Sequence, residues 1–181
     1  FYRSLVELET ADTAVPSLAE EFTVSEDGLV YTFTLREGIK FCNGRDITPD
    51  DVVYTWERWN DPSVPSPTAY FFDALQGVGA YRAGDAETIS GISVLDERTV
   101  QFTFDNPVWT MIQRFALPPA GIIAREGVEA AGDQFGFAPL GAGPFCLVSW
   151  EPGVRIVGER NPYYWKEGLP LVDGFEMSLF V

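Results

Sequence analysis

Between Glu26-Asp27-Gly28 and Arg36-Glu37-Gly38 the chain reads Val30-Tyr31-Thr32-Phe33-Thr34-Leu35, with a large apolar side chain at every second position from Tyr31. A period of two sends Tyr31, Phe33 and Leu35 to one face of a strand and Thr32 and Thr34 to the other. Threonine, tyrosine and phenylalanine all suit a pleated, half-buried surface. The Asp-Gly pair ahead of the run is a strong turn signal. Burial of the three large side chains contributes roughly 1.5–3 kcal/mol each. No nucleophile or base with a partner stands nearby, so the stretch carries fold and not reaction.

The same texture recurs twice. Ile92-Ser93-Val94-Leu95, the turn Asp96-Glu97-Arg98 and Thr99-Val100-Gln101-Phe102-Thr103-Phe104 make a hairpin with Val100, Phe102 and Phe104 on one face. Phe145 to Trp150, Glu151-Pro152-Gly153 and Val154 to Glu159 make another, and 175–181 reads as a last strand. Phe1-Tyr2-Arg3-Ser4-Leu5-Val6 reads as a strand too.

Helices alternate with these hairpins. Thr48-Pro49-Asp50-Asp51 supplies a cap, a proline at the first helical position and two carboxylates at the positive end of the dipole. Val52, Val53, Trp56 and Trp59 follow at helical spacing, and Asn60-Asp61-Pro62 ends the run. Ser66-Pro67 opens a shorter helix through Ala69, Phe72 and Leu75, after which Gly77, Gly79 and Gly84 loosen the chain. Further helical segments are expected over 108–117 and 125–131, and the Gly- and Pro-rich stretch 135–144 marks a domain crossing. The sum is an α+β class fold: antiparallel hairpins with interleaved helices.

The chemistry is bounded mostly by what is missing. The 181 residues contain no histidine, which removes Ser-His-Asp and Cys-His arrangements and His-ligated zinc. Gly141-Ala142-Gly143-Pro144 has a proline where a phosphate loop needs glycine, and no Lys-Ser/Thr follows. Asp50, Asp51 and Asp61 lack the spacing of a calcium loop. Three acidic pairs invite a two-carboxylate hydrolase: Glu20-Glu21, Asp50-Asp51, and Glu126 with Glu129. Adjacent strand residues face opposite ways, and Asp50-Asp51 fits a helix cap better, so a solvated acidic face is the plainer reading. The net charge of −15, with no run of Lys or Arg, makes nucleic acid and anionic membranes poor partners. No apolar run approaches the roughly 20 residues of a membrane span. No signal peptide is visible, and a processed or truncated start is expected. Cys42 and Cys146 can pair in an oxidising compartment or stay two buried thiols. Trp56, Trp59, Tyr70, Phe71, Phe72 and Trp109 suffice to line a groove as well as a core; helical spacing assigns Trp56 and Trp59 to the core.

Taken in order, these segments resemble a known family. Leu18 to Ser25, Glu26-Asp27-Gly28, Tyr31 to Arg36, Gly38, Lys40-Phe41 and Gly44 resemble the hallmark segment of the family 5 bacterial extracellular solute-binding proteins, the oligopeptide, dipeptide and nickel receptors of ABC importers. Thr48 to Arg58 resembles the helix that follows it in the family. Asp61-Pro62 with Ser66-Pro67, Gly143-Pro144-Phe145 and Arg160-Asn161-Pro162 with Tyr164-Trp165 keep the family's order. Phe41-Cys42-Asn43-Gly44 departs from the usual pattern at one turn.

The resemblance implies a two-lobed, type II periplasmic-binding-protein-like fold. Residues 1–14 and 139–181 would be parts of one lobe, and 15–138 a domain inserted into it. The second ligand-holding lobe would lie outside this chain, an N-terminal portion that would fold yet bind barely on its own. The implied function is the capture of a peptide or similar small solute outside the cytoplasm, in the periplasm or at the cell surface, by a monomer that delivers it to ABC permease subunits. It calls for no catalytic residue, metal or cofactor. Arg3, Ser4, Thr68 and Tyr70 would supply the ligand wall, with Tyr70 taking the stacking role the family often places at Thr68's position. Since that division separates Cys42 from Cys146, the expectation is two thiols and no bridge. The rivals are a secreted hydrolase with paired carboxylates and a signalling or accessory domain on the same fold. The ligand's identity is open at this point, since peptides, sugars, opines and nickel complexes share the architecture.

Overall fold

In a computed structural model that describes residues 1–64 and 66–179, the chain divides into two compact units. One gathers Ser4–Glu37 and Thr48–Gly121; the other gathers Phe1–Arg3, Gly38–Ile47 and Ile122–Val181. The expected boundaries at 14/15 and 138/139 concern lobes of a longer protein and return below as a proposal.

The larger unit is built on a four-stranded antiparallel sheet in the order β3(Ala19–Val24)-β4(Val30–Leu35)-β6(Thr99–Thr103)-β5(Ile92–Val94), with a hairpin of β1(Val6–Leu8) and β2(Ala14–Pro16) ahead of it. Tyr31, Phe33 and Leu35 are buried while their neighbours are half-exposed, as the period of two requires. Val100, Phe102 and Phe104 share the buried face. Helix α1(Pro49–Asn60) supplies Trp56, whose ring lies 4.9 Å from Phe102 and 5.5 Å from Phe115. Phe33 and Phe102 each approach Phe115 to 4.8 Å, in tilted and edge-on geometries that suit the aromatic quadrupole. This cluster is the core of the unit.

Four sequence readings need correction here. The strand begins at Val6, not Phe1; within this unit, Ser4 and Leu5 instead give their carbonyls to the amides of Leu18, Ser17 and Ala19. The stretch loosened by glycines contains a helix, α2(Val78–Ala83), because Gly77 and Gly84 take left-handed φ of 76° and 78° at its two ends. The helix expected over 108–117 shrinks to α3(Met111–Arg114), and the short helix after Ser66-Pro67 is a 3-10 turn, Ala69–Phe72.

In the smaller unit a three-stranded antiparallel sheet runs β7(Phe145–Glu151)-β8(Arg155–Arg160)-β9(Gly174–Ser178), preceded by α4(Arg125–Ala131). The last strand expected over 175–181 thus ends at Ser178; Phe180 and Val181 lie outside the described residues. Cys42 and Cys146 form a disulfide with Cα atoms 5.7 Å apart, which overturns the expectation of two thiols. That expectation placed Cys42 in the inserted domain, 15–138, and Cys146 in the other lobe. Residues 38–47 instead join the smaller unit, where the Cys42 amide donates to the Gly141 carbonyl at 2.9 Å beside the first residues of β7.

Candidate functional site

The turn Ala69–Phe72 sorts its aromatics by position. Phe72 points inward, fully buried, 5.7 Å from Trp56 and 5.1 Å from Trp59. Tyr70 points outward and is 59% exposed, its ring 4.5 Å from Phe71. A 3-10 turn of this length is weak by itself. Two arginines stiffen it. Arg82 of α2 donates to the Ala69 carbonyl at 2.7 Å, pairs with Asp73 and also holds Asn60 Oδ1 at 2.6 Å. Arg114 of α3 donates to the Phe71 carbonyl and lies 5.6 Å over the Phe71 ring. Charge-assisted bonds of this type are about twice as strong as neutral ones. Thr68 precedes the turn and accepts from Trp59 Nε1 at 3.2 Å, with Ser66 Oγ at 3.3 Å. Thr68 and Tyr70 are therefore brought together on one braced turn.

Ser4 and Arg3 stand elsewhere. Ser4 is buried in the larger unit and donates its hydroxyl to the Leu117 carbonyl at 3.4 Å. Arg3 belongs to the smaller unit, where Nε donates to Tyr164 Oη at 3.1 Å and the guanidinium lies 5.8 Å from that ring's centre. A half-buried guanidinium held by a tyrosine can grip an anionic or carbonyl group. Sequence reasoning missed Arg82 and Arg114. Little in the sequence pointed to them: Arg82 and Arg114 lie 12 and 44 positions beyond Tyr70, in segments read as a loosened loop and an ordinary helix.

One member of each acidic pair is occupied structurally. Asp51 is buried and accepts the Thr48 amide at 2.9 Å in a capping box. Glu20 pairs with Arg98 at 3.3 Å. Glu126 receives Arg45 Nε at 2.7 Å, Arg45 Nη2 at 3.0 Å and Asn43 Nδ2 at 2.9 Å. That grip holds its carboxyl down at about 2, the Arg45 bonds being the main cause. Asp27, Asp61 and Asp96 are lowered by hydrogen bonds within their own turns, led by Ser25, Ser63 and the Arg98 amide respectively. Among the described residues no group of three or more Cys, Asp or Glu is placed to hold a metal ion. No helix among them is long and apolar enough to cross a membrane.

Residues 13–180 match the model for bacterial extracellular solute-binding proteins, family 5 (middle). The chain belongs to that family. It is 32% identical over 92% of its length to Di/tripeptide-binding protein 2 of Pseudomonas aeruginosa. Its fold superposes on the substrate-binding domain of an oligopeptide ABC transporter from Bacillus anthracis with a TM-score of 0.89, at 25% identity over 98% of the chain. It superposes on the binding protein AgaA of A. tumefaciens R10, solved with agropinic acid, with a TM-score of 0.84 at 30% identity over 99%. The α+β arrangement of antiparallel sheets and helices is part of the type II architecture of such receptors. The chain spans about a third of each: 33%, 35% and 33% of their lengths. These homologues are solute-binding proteins and not enzymes.

Proposed function

We propose that this chain forms part of a receptor that captures a peptide or a similar small solute outside the cytoplasm and hands it to an ABC permease, without making or breaking a bond. The observation that carries the reading is the family match over 13–180, joined to a fold shared with the substrate-binding domain of an oligopeptide transporter and with a binding protein solved with agropinic acid. Two features of the chain support it. The Cys42–Cys146 disulfide fits an oxidising, extracytoplasmic setting. The braced turn presents Tyr70 as a rigid aromatic with little ordering left to lose, which suits a ligand-stacking role. In this reading Arg3, Ser4, Thr68 and Tyr70 belong to the ligand wall. Ser4, buried and bonded to the Leu117 carbonyl, acts there by positioning the chain. Residues 1–14 and 139–181 form one lobe around an inserted domain, 15–138, and capture proceeds by closure of lobes. The AgaA likeness keeps a solute like agropinic acid among the candidates beside short peptides.

Calorimetry on the longer receptor that contains this chain, with pools of di- and tripeptides, is the test. Saturable binding that Tyr70→Ala or Arg3→Ala weakens at least about tenfold, one decade being 1.4 kcal/mol, supports the reading. Turnover of a peptide or glycoside, abolished by Asp51→Asn or Glu126→Gln, overturns it in favour of a hydrolase.

A further inference from the structure

Where β4 leaves its turn, a cavity of about 360 Å³ opens on the larger unit. It is within the range of small-ligand sites, roughly 300–1,000 Å³. Tyr31, Val108, Trp109 and Ile112 form its apolar walls. Glu26 and Asp27 stand at its edge, and none of the described residues that line it is basic. It shares no lining residue with the Tyr70 turn or with Ser4 and Thr68. Two features set it apart from an ordinary surface hollow. Trp109 is 99% exposed, so among the described residues its indole stands at the cavity's rim with almost all of its surface free. Asp27 is fixed in place: Oδ1 accepts from Ser25 Oγ at 2.5 Å and from the Leu29 amide at 3.1 Å, which aligns the carboxylate without a cationic partner. Those bonds also keep its carboxyl below the usual range, so it carries charge at neutral pH.

We infer that this cavity is a binding site for a small organic cation with an apolar body, the ammonium at Glu26 and Asp27 and the body against Trp109, Val108 and Ile112. An apolar wall alone would accept any hydrophobe. The two carboxylates and the lack of a basic neighbour select positive charge, and an indole face adds cation–π attraction. The chain's net charge of −15 raises the local concentration of cations further.

Phenethylammonium, phenylacetate and 2-phenylethanol share one apolar body and differ in charge. Each is titrated into ¹⁵N-labelled protein while the Trp109 indole N–H and the Ile112 amide are followed by NMR. The expected result is saturable shifts at both residues with phenethylammonium and none with phenylacetate. Trp109→Ala, a change at a fully exposed position, should weaken binding by about two- to fivefold or more. Glu26→Gln should do the same, and Asp27→Asn keeps the oxygen that the turn needs while removing charge. Equal response to all three compounds, or shifts unchanged by these variants, overturns the inference. Binding of a basic peptide with no response to phenethylammonium overturns it as well, since the cavity would then be a protein-docking surface.

Discussion

Glu126 shows how a single carboxylate ties separate stretches of one unit. Asn43 and Arg45 come from the loop 38–47, and Glu126 from the first turn of α4. Its folded pKa of about 2 lies below the ordinary 4.5, so its contribution is present above the unfolded value and is lost as pH falls between roughly 4.5 and 2. The side chain is 42% exposed, and screening limits the worth of the pair to about 1 kcal/mol. Glu126→Gln is therefore expected to lower stability slightly at pH 7 and by clearly less at pH 2, read from urea melts at both. At α1 the two aspartates should separate. Asp51→Ala removes the acceptor of the Thr48 amide and should cost about 0.5–2 kcal/mol. Asp50 is exposed and acts only through the helix dipole, so Asp50→Ala should cost about 0.3–1 kcal/mol. Equal losses in chemical denaturation would contradict the capping account.

At the scale of elements, α2 is both the helix that sequence reasoning lost and the one that carries Arg82 to the Tyr70 turn. A Cβ at Gly77 would meet Ser90 Oγ at 2.2 Å on a backbone with φ of 76°, whereas nothing lies within 4 Å of one at Gly79. Gly79→Ala should thus stabilise by about 0.5–1 kcal/mol through helix propensity. Gly77→Ala should destabilise by about 1–3 kcal/mol through left-handed strain. Thermal melts of the two variants shifting in the same direction would contradict this. Three glycines in eight residues, 77, 79 and 84, look like a loop, because propensity counts them alike. Only φ reveals that two are caps and one is an interior residue. The strands were legible for the opposite reason: Tyr31, Phe33 and Leu35 state their burial through alternation alone. Of the candidate site, the exposure of Tyr70 was legible as that of an aromatic after a Pro-rich loop. Its braces were not, since Arg82 and Arg114 lie 12 and 44 positions further along the chain.

For the whole molecule the disulfide matters more than any one element, because it joins positions 104 residues apart. The loop it closes contains most of the larger unit, Thr48–Gly121, while both cysteines belong to the smaller unit. No periodicity in the sequence could show that pairing, since it depends on where the chain 38–47 is sent. A cross-link acts chiefly by restricting the unfolded chain, and a loop of about 100 residues gives up to about 4.7 kcal/mol in the chain-entropy model. Part of that stabilisation is lost wherever the unfolded ensemble keeps residual structure, so about 2–4 kcal/mol is expected from reduction. The cost should fall on the smaller unit, where Cys42 and Cys146 anchor the 38–47 segment beside β7. The larger unit has its own sheet, helix cap and aromatic cluster, and neither cysteine belongs to it. In the Cys42→Ser/Cys146→Ser variant, amide exchange should therefore accelerate in β7, β8 and residues 38–47 well before it does in β4 and β6. Uniform acceleration across both units would show that they unfold as one cooperative body and that the disulfide stabilises the chain as a whole.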